Sequence, residues 1–162
     1  MTQALEAATP VATEFTSCRA CNVGDLEPIL SLGDQVLVGF LKAGETREHA
    51  PLNLVMCPGC GLLQLSHSVN RDLLFREFWY RSAINESMRR SLIDVVKEGR
   101  TYRSAGVWLD IGANDGYLLS QVPSDFIKIA CEPALNFREE LEHHASEVIS
   151  DYFSASDDLV GR

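Results

Sequence analysis

The sequence lacks the features that mark a secreted or membrane-spanning protein. Residues 1–14 contain no Lys or Arg, no apolar core run and a proline at Pro10, so they match neither a secretory signal nor a transit peptide. No apolar stretch approaches the roughly 20 residues that a membrane-spanning helix needs. We therefore expect a soluble, cytoplasmic protein without a membrane partner, in which residues 1–14 form a flexible leader and order begins near Phe15.

Basic residues are scarce relative to acidic ones. The chain has 14 Lys and Arg residues against 23 Asp and Glu residues, which gives a formal net charge of -9. Because this charge repels a phosphate backbone, the composition disfavours a protein that acts on nucleic acid and predicts no nucleic-acid partner.

The pattern of apolar runs and turns predicts an α+β fold with three ordered segments. Residues 15–66 alternate short apolar runs with turn sequences such as Pro58-Gly59, which indicates a small β-rich module. Residues 67–104 are interpreted as a helical connector. Residues 105–162 alternate strand, helix, strand and helix, which is typical of the start of a parallel α/β sheet.

Cap residues set the predicted limits of the connector helices. Asn70 is suited to cap a first helix that runs through Phe75. A second helix is predicted to begin at Asn85 or Ser87 and to end with a C-cap at Gly99.

Four of the five cysteines form two CxxC pairs, which are Cys18 with Cys21 and Cys57 with Cys60. Each pair can present two thiolates from one tight turn, and together they supply the four tetrahedral sulfur ligands that structural zinc favours. Since disulfides rarely persist in the cytosol, the pattern predicts a zinc site, with simple buried cysteines or a thiol redox pair as the alternatives. The fifth cysteine, Cys131, ends an apolar strand and is predicted to be a small buried hydrophobe.

Two histidines offer less favoured alternatives as metal ligands. His49 and His67 lie near the cysteine pairs in the sequence, but neither has the spacing of a ligand turn. The four cysteines are therefore the predicted zinc ligands.

An acidic glycine turn follows the first predicted strand of the α/β segment. Asp110 and Asp115 flank Gly112, and Glu132 directly follows the second strand, about 20 residues beyond Gly112, where nucleotide-binding α/β domains place a carboxylate for the ribose. Asn114 occupies the place of the middle glycine of a dinucleotide motif, and the acids would repel phosphate, so S-adenosylmethionine is favoured over a nicotinamide cofactor. The alternative is that Asp110 and Asp115 only cap turns and that Glu132 is merely exposed.

Together these motifs resemble the NDP-deoxysugar C-methyltransferases over about residues 15–153. The residues that carry the resemblance are the two CxxC pairs, Cys57-Pro58-Gly59-Cys60-Gly61-Leu62-Leu63-Gln64-Leu65, Tyr80-Arg81-Ser82 and Asp110-Ile111-Gly112-Ala113-Asn114-Asp115-Gly116. The resemblance implies an N-terminal zinc-binding domain followed by a Rossmann-like methyltransferase domain. It also implies methylation, from S-adenosylmethionine, of a carbon next to the keto group of a nucleotide-linked deoxysugar.

The resemblance further implies roles for single residues. Tyr80 lies in the active site and Glu132 binds the ribose, whereas Phe78 and Ala83 depart from the family pattern. The residues that would surround the cofactor are Asp110, Gly112, Asn114, Asp115 and Gly116.

Because the chain ends before the family's histidine-containing catalytic segment, we expect it to be the N-terminal portion of such an enzyme, with a truncated Rossmann-like domain and no activity alone. The alternative is a non-catalytic zinc-binding module that docks on another polypeptide, which completes the sheet.

Overall fold

The computed structural model describes residues 9–37 and 39–154. The chain divides into two compact units between Leu74 and Phe75, a boundary that falls inside the predicted connector. Both helix and strand are present, as expected for an α+β chain. Among the described residues, no helix combines the length and apolarity needed to cross a bilayer.

Over its described residues the first unit contains five strands, as its alternating runs and turns predicted. These are β1 (Ala12–Glu14), β2 (Glu27–Val36), β3 (His49–Met56), β4 (Leu63–Leu65) and β5 (His67–Val69). Strands β2, β3 and β4 form an antiparallel sheet in that order, and β1 pairs with β5. The β2–β3 register shifts between Ser31 and Asp34, where Gly33 takes a φ of 68° that favours glycine.

The predicted leader needs a correction at its end. Ala12 pairs with Val69 and Glu14 pairs with His67, so order begins before Phe15. The pattern of residues 12–14 is too short to indicate a strand until its partner is known. Residues 1–8 of the predicted leader lie outside the described residues.

The first unit buries little apolar surface for its size. Its buried apolar residues within the described ranges are Cys18, Leu37, Ala50, Val55 and Cys57. By contrast, Leu30 and Leu32 are 53% and 56% exposed. A unit with so small a core depends on another source of stability, which is the usual role of a structural metal.

The second unit is an α/β unit with a parallel sheet. Its strands are β6 (Gly106–Ile111), β7 (Phe126–Cys131) and β8 (Glu147–Ile149), which lie side by side in that order, and its longest helix is α2 (Glu86–Tyr102). The short helix α3 (Tyr117–Gln121) connects β6 to β7, and α4 (Arg138–Glu142) connects β7 to β8. The second helix of the predicted strand, helix, strand and helix order is α4, which is only five residues long and is preceded by a 3₁₀ turn at Leu135–Phe137.

The core of the second unit lies between the sheet and its helices. Its largest fully buried side chains are Phe137, Leu119, Leu141 and Cys131. Cys131 is 1% exposed, which confirms its predicted burial. This core fixes the turns that follow β6 and β7.

The predicted helix caps are confirmed at the N-termini but not at Gly99. Asn70 accepts a hydrogen bond from the backbone of Asp72 at 3.0 Å, at the start of α1 (Arg71–Phe75). Asn85 accepts one from Ser87 at 2.9 Å and caps α2. Gly99 is not a C-cap, because α2 continues to Tyr102; it lies where the indole of Trp108 packs on the helix.

Candidate functional site

The two CxxC pairs of the first unit converge on one point. The Sγ atoms of Cys18, Cys21, Cys57 and Cys60 all lie within 4.8 Å of one another. The Sγ of Cys18 is 3.7 Å from that of Cys60, and the Sγ of Cys21 is 3.5 Å from that of Cys57. Four sulfurs about 2.3 Å from a central zinc would be about 3.8 Å apart. The cluster therefore fits a tetrahedral zinc ion.

The two ligand turns have the same backbone structure. The carbonyl oxygen of Cys18 accepts a hydrogen bond from Asn22 and that of Cys57 accepts one from Gly61, each at 2.9 Å. In both turns the first cysteine also donates its amide to the carbonyl five residues on. Asn22 and Gly61 occupy equivalent positions, with φ angles of 61° and 74°. Two equivalent turns thus present two sulfurs each.

Hydrogen bonds within the cluster shift the pKa values of two of the thiols in opposite directions. Hydrogen bonds from the backbone amides of Cys21 and Ala20 lower the pKa of Cys18 to about 6. A hydrogen bond from the backbone of Val23 acts in the same direction on Cys21, but the sulfurs of Cys57 and Cys60 raise the pKa of Cys21 to about 12. The turn thus stabilises the Cys18 thiolate, while the neighbouring sulfurs disfavour deprotonation of Cys21. A divalent cation offsets the repulsion between thiolates and allows all four cysteines to bind it in the deprotonated form.

Neither histidine belongs to this cluster among the described residues, since the group of close metal-ligating atoms contains the four cysteines alone. The ring of His67 instead hydrogen bonds the hydroxyl of Ser66 at 2.8 Å.

In the second unit, Glu132 joins the turns that follow β6 and β7. One carboxylate oxygen accepts a hydrogen bond from the amide of Asn114 at 2.7 Å, and the other accepts one from Ala134 at 2.8 Å. Glu132 is only 7% exposed, so the alternative that it is merely a solvent-exposed side chain is wrong. A buried carboxylate held by two amides is fixed in position.

Asp110 lies close enough to Glu132 for the two charges to interact. It pairs in register with Ala130 on the adjacent strand, two positions before Glu132. Burial, and to a smaller extent the charge of Glu132, raise the pKa of Asp110 above its ordinary value. Two carboxylates at neighbouring strand ends create a negative potential that favours a cationic ligand.

A cleft of about 190 Å³ opens beside Glu132. It is lined by Phe75, Phe78, Gly112, Asn114, Glu132 and Pro133. Gly112 has a φ of 76°, and a side chain built there would meet nothing within 4 Å, so its backbone faces open space. The two phenylalanines were not predicted as site residues, although the aromatic cluster near Tyr80 was a signal that could have found them.

Gly116 has a different environment from Gly112. A Cβ atom at Gly116 would lie 3.0 Å from Leu141 and 3.1 Å from His144. The absence of a side chain at Gly116 thus allows α4 to pack against this turn. Its predicted place around a cofactor stays a prediction.

The side chains of Asn114 and Asp115 contact the segment that contains Tyr80. Asn114 donates to the carbonyl of Tyr80 and accepts from the amide of Ser82, both at 2.9 Å. Asp115, which is 2% exposed, accepts from the amide of Ala83 at 2.8 Å. The sequence did not predict these contacts. The Tyr80 ring itself is half-buried and lies edge-on to Trp79, with the ring centroids 6.1 Å apart.

Comparison with known proteins finds a similarity that begins at the first ligand turn. Residues 18–75 match a methyltransferase family model described as "Putative zinc binding domain". The match contains all four clustered cysteines, so this part of the chain is similar to the zinc-binding domain of that methyltransferase family.

A second comparison extends beyond that module. The chain is 29% identical over 114 residues to the C-methyltransferase NovU of Streptomyces niveus. The aligned segment covers 65% of this chain and 27% of the relative, so the chain spans about a quarter of the length of this curated relative. The two findings confirm the resemblance to C-methyltransferases that the cysteine pairs and the glycine turn indicated.

Proposed function

We propose that this chain contributes the zinc-binding module and the first part of the cofactor site of an S-adenosylmethionine-dependent C-methyltransferase that acts on a nucleotide-linked keto-deoxysugar. The observation that carries the proposal is the buried Glu132 carboxylate, held between the turns after β6 and β7 and beside an open cleft. Parallel strands in the order β6, β7, β8 with helices between them support a Rossmann-like arrangement.

In this proposal, Glu132 binds the ribose of the cofactor. Each of its oxygens accepts one backbone hydrogen bond and retains a second lone pair for a ribose hydroxyl. Phe75 and Phe78 give the cleft apolar walls suited to an adenine ring. Asp110 adds negative charge, which favours a sulfonium over a pyrophosphate.

The zinc in this proposal is structural. Cys18, Cys21, Cys57 and Cys60 would fill all four positions of a tetrahedral ion, which leaves none for a water or substrate. Its contribution is to hold the ligand turns together in a unit with a small apolar core.

When held at Glu132, S-adenosylmethionine would supply an electrophilic methyl group. Loss of a proton from the carbon next to the keto group gives an enolate; its new carbon–carbon bond to that methyl would form as the methyl–sulfur bond breaks and the neutral thioether leaves. Proton transfer at that carbon suits a phenol, and we assign this role to Tyr80 on the resemblance stated above. Methyl transfer from S-adenosylmethionine to a panel of NDP-4-keto-deoxysugars, by the protein that contains this chain, tests the substrate class. Tyr80→Phe is expected to lower kcat by about 10²-fold or more.

Cofactor binding is tested on the chain itself by NMR with ¹⁵N-labelled protein. Addition of S-adenosylmethionine to millimolar concentration should shift the amide resonances of Gly112, Asn114 and Glu132, whereas NAD at the same concentration should not. Glu132→Gln should weaken S-adenosylmethionine binding by roughly 1–3 kcal/mol, because the charged hydrogen bonds to the ribose are lost. Glu139→Gln, an exposed carboxylate on α4, is the matched control and should leave the titration unchanged.

The absence of shifts, or equal shifts with NAD, would refute the cofactor assignment. An unchanged titration with Glu132→Gln would remove Glu132 from the site.

A second candidate function has support from one observation. The sheet of the first unit exposes large apolar side chains, among them Ile29, Leu30, Leu32 and Leu63, each more than half exposed. Such a surface suits a zinc-binding module that docks on another polypeptide. Replacement of Leu30 and Leu63 by Gln should abolish co-purification with such a partner and leave the zinc content unchanged.

A further inference from the structure

Three side chains of the second unit attach to the backbone of one short segment. Asn114 and Asp115, from the turn after β6, contact Tyr80, Ser82 and Ala83 as described above. Asn136, from the chain after β7, accepts a hydrogen bond from the amide of Phe78 and donates one to the carbonyl of Phe78, both at 3.0 Å. We call residues 78–83 the strapped segment.

The amide side chains suit this task because each combines a donor and an acceptor. Asn114 uses both on the strapped segment and so fixes the backbone on either side of Arg81. Asn136 uses both on a single residue, Phe78. An aspartate at either position would keep the acceptor but lose the donor. A glycine would lose both.

The contact made by Asp115 is buried. Its side chain is 2% exposed, and its second oxygen accepts from the amide of Tyr117 at 3.3 Å. Each carboxylate oxygen thus satisfies one backbone amide. From the other side, Arg89 of α2 donates to the carbonyl of Ala83 at 2.7 Å. The end of the strapped segment is therefore fixed on both sides.

Asn114 also connects the strapped segment to the proposed ribose carboxylate. Its backbone amide donates to Glu132 while its side chain holds Tyr80 and Ser82. Its φ of 50° lies in the left-handed region, which Asn tolerates better than most residues. In this conformation the backbone amide of Asn114 faces Glu132 while its side chain reaches the backbone of Tyr80 and Ser82.

We propose that Asn114, Asp115 and Asn136 are positioning residues that hold Phe78 and Tyr80 in a fixed relation to the cofactor turn. The strap itself consists of hydrogen bonds within this chain, whereas its catalytic meaning rests on the proposed function. In that function, these hydrogen bonds keep Phe78, in the wall of the cleft, and Tyr80 at fixed distances from the methyl donor. A reaction that needs aligned groups is sensitive to displacements of about 1 Å.

The strap is tested by amide hydrogen exchange measured by NMR. Asp115→Ala should accelerate exchange of the Ala83 amide by about tenfold or more, and Asn114→Ala should do the same for Ser82. Asn114→Asp keeps an acceptor for Ser82 and should preserve most of its protection. Asp125→Ala, an exposed aspartate in the loop before β7, is the control and should change neither amide. Protection of Ile129 in β7 reports whether each variant remains folded.

Fast exchange of Ser82 and Ala83 in the unmodified chain would overturn the strap. The strap would also be overturned if Asp115→Ala left the exchange rate of the Ala83 amide unchanged, or Asn114→Ala that of Ser82, while the Ile129 amide stayed protected.

Positioning is tested by the response to the cofactor. S-adenosylmethionine should shift the amides of Ser82 and Ala83 together with that of Glu132, since Asn114 contacts both regions. In Asn114→Ala, the shift at Glu132 should remain while the shifts at Ser82 and Ala83 fall at least about twofold. If the Ser82 and Ala83 amides shift as much in Asn114→Ala as in the unmodified chain, the strap has a purely structural role and the positioning proposal is wrong. If no residue responds in the unmodified chain, the cofactor assignment fails while the exchange result still decides the strap.

Discussion

The indole of Trp108 lies directly against the backbone of Gly99, so that a Cβ atom at Gly99 would stand 2.4 Å from its Cη2 atom. Trp108 has little room to move away, because its ring packs edge-on against Phe126 with the centroids 5.5 Å apart. The strand β6 and the helix α2 thus approach each other through a glycine.

This contact reverses the usual effect of a helical glycine. Gly→Ala inside a helix normally stabilises by up to about 1 kcal/mol. At Gly99 the added methyl group would overlap the indole, and we expect Gly99→Ala to lower the free energy of unfolding by about 1–3 kcal/mol. Urea denaturation measures the change, with the exposed α2 position Ser91→Ala as the control. A stabilised Gly99→Ala variant would show that Trp108 does not pack on the helix in this way.

Removal of zinc should unfold the first unit. Purified protein is expected to contain one zinc per chain by mass spectrometry, and a chelator should reduce its far-UV circular dichroism and its thermal stability. Cys57→Ser should abolish metal binding, because only three thiolates remain. Cys131→Ala, which alters a buried cysteine outside the cluster, should retain the metal. Unchanged spectra and melting after proven removal of zinc would contradict a structural metal.

The equivalence of Asn22 and Gly61 predicts which substitutions the second ligand turn accepts at Gly61. Because Asn22 adopts a φ of 61° in the first ligand turn, Gly61→Asn should be accepted in the second turn with little loss of zinc affinity. Gly61→Val should weaken zinc binding by about tenfold, since a β-branched residue pays roughly 1–2 kcal/mol in the left-handed region. Competition with a colorimetric chelator measures both affinities. Equal effects of Asn and Val would mean that the left-handed conformation is not required.

The raised pKa of Asp110 predicts a pH-dependent gain in stability when its charge is removed. Folding favours the protonated form, so the contribution of Asp110 is fully present below its ordinary pKa of 3.8 and is lost as the pH rises through the folded-state pKa. Asp110→Asn should therefore raise the Tm at pH 7 by up to about 4 °C, and the gain should shrink toward acid pH. Asp125→Asn, on an exposed loop, should show no such dependence. If the change in Tm varied with pH in the same way for Asp110→Asn and Asp125→Asn, the burial of Asp110 would be contradicted.

The sequence was sufficient to predict the cysteine cluster and the strands β6 and β7, which precede and follow the glycine turn and its helix. Ligand turns and parallel strands depend on short-range signals, namely CxxC spacing and apolar runs such as 107–109. The prediction at Gly99 failed because a glycine near a helix end has two explanations, a cap or a close packing contact, and only the position of Trp108 distinguishes them.

The strapped segment could not be predicted for a related reason. Its hydrogen bonds join residues 78–83 to side chains more than thirty positions later, and Asn114 in a turn normally indicates a local backbone role. Strand β1 was missed for the same reason, since three residues become a strand only when His67–Val69 pairs with them.

The convergence of the two ligand turns also bears on how the segment between them can vary. The metal closes a chain loop over residues 22–56, longer than the usual 15–20 residues between such pairs. The entropic cost of loop closure rises only with the logarithm of loop length, by about 0.6 kcal/mol for each doubling. Residues inserted or deleted between β2 and β3 would thus change the zinc affinity very little, provided that the strands still pair. Related chains are therefore free to differ in length between the second and third cysteines while their ligand turns stay the same.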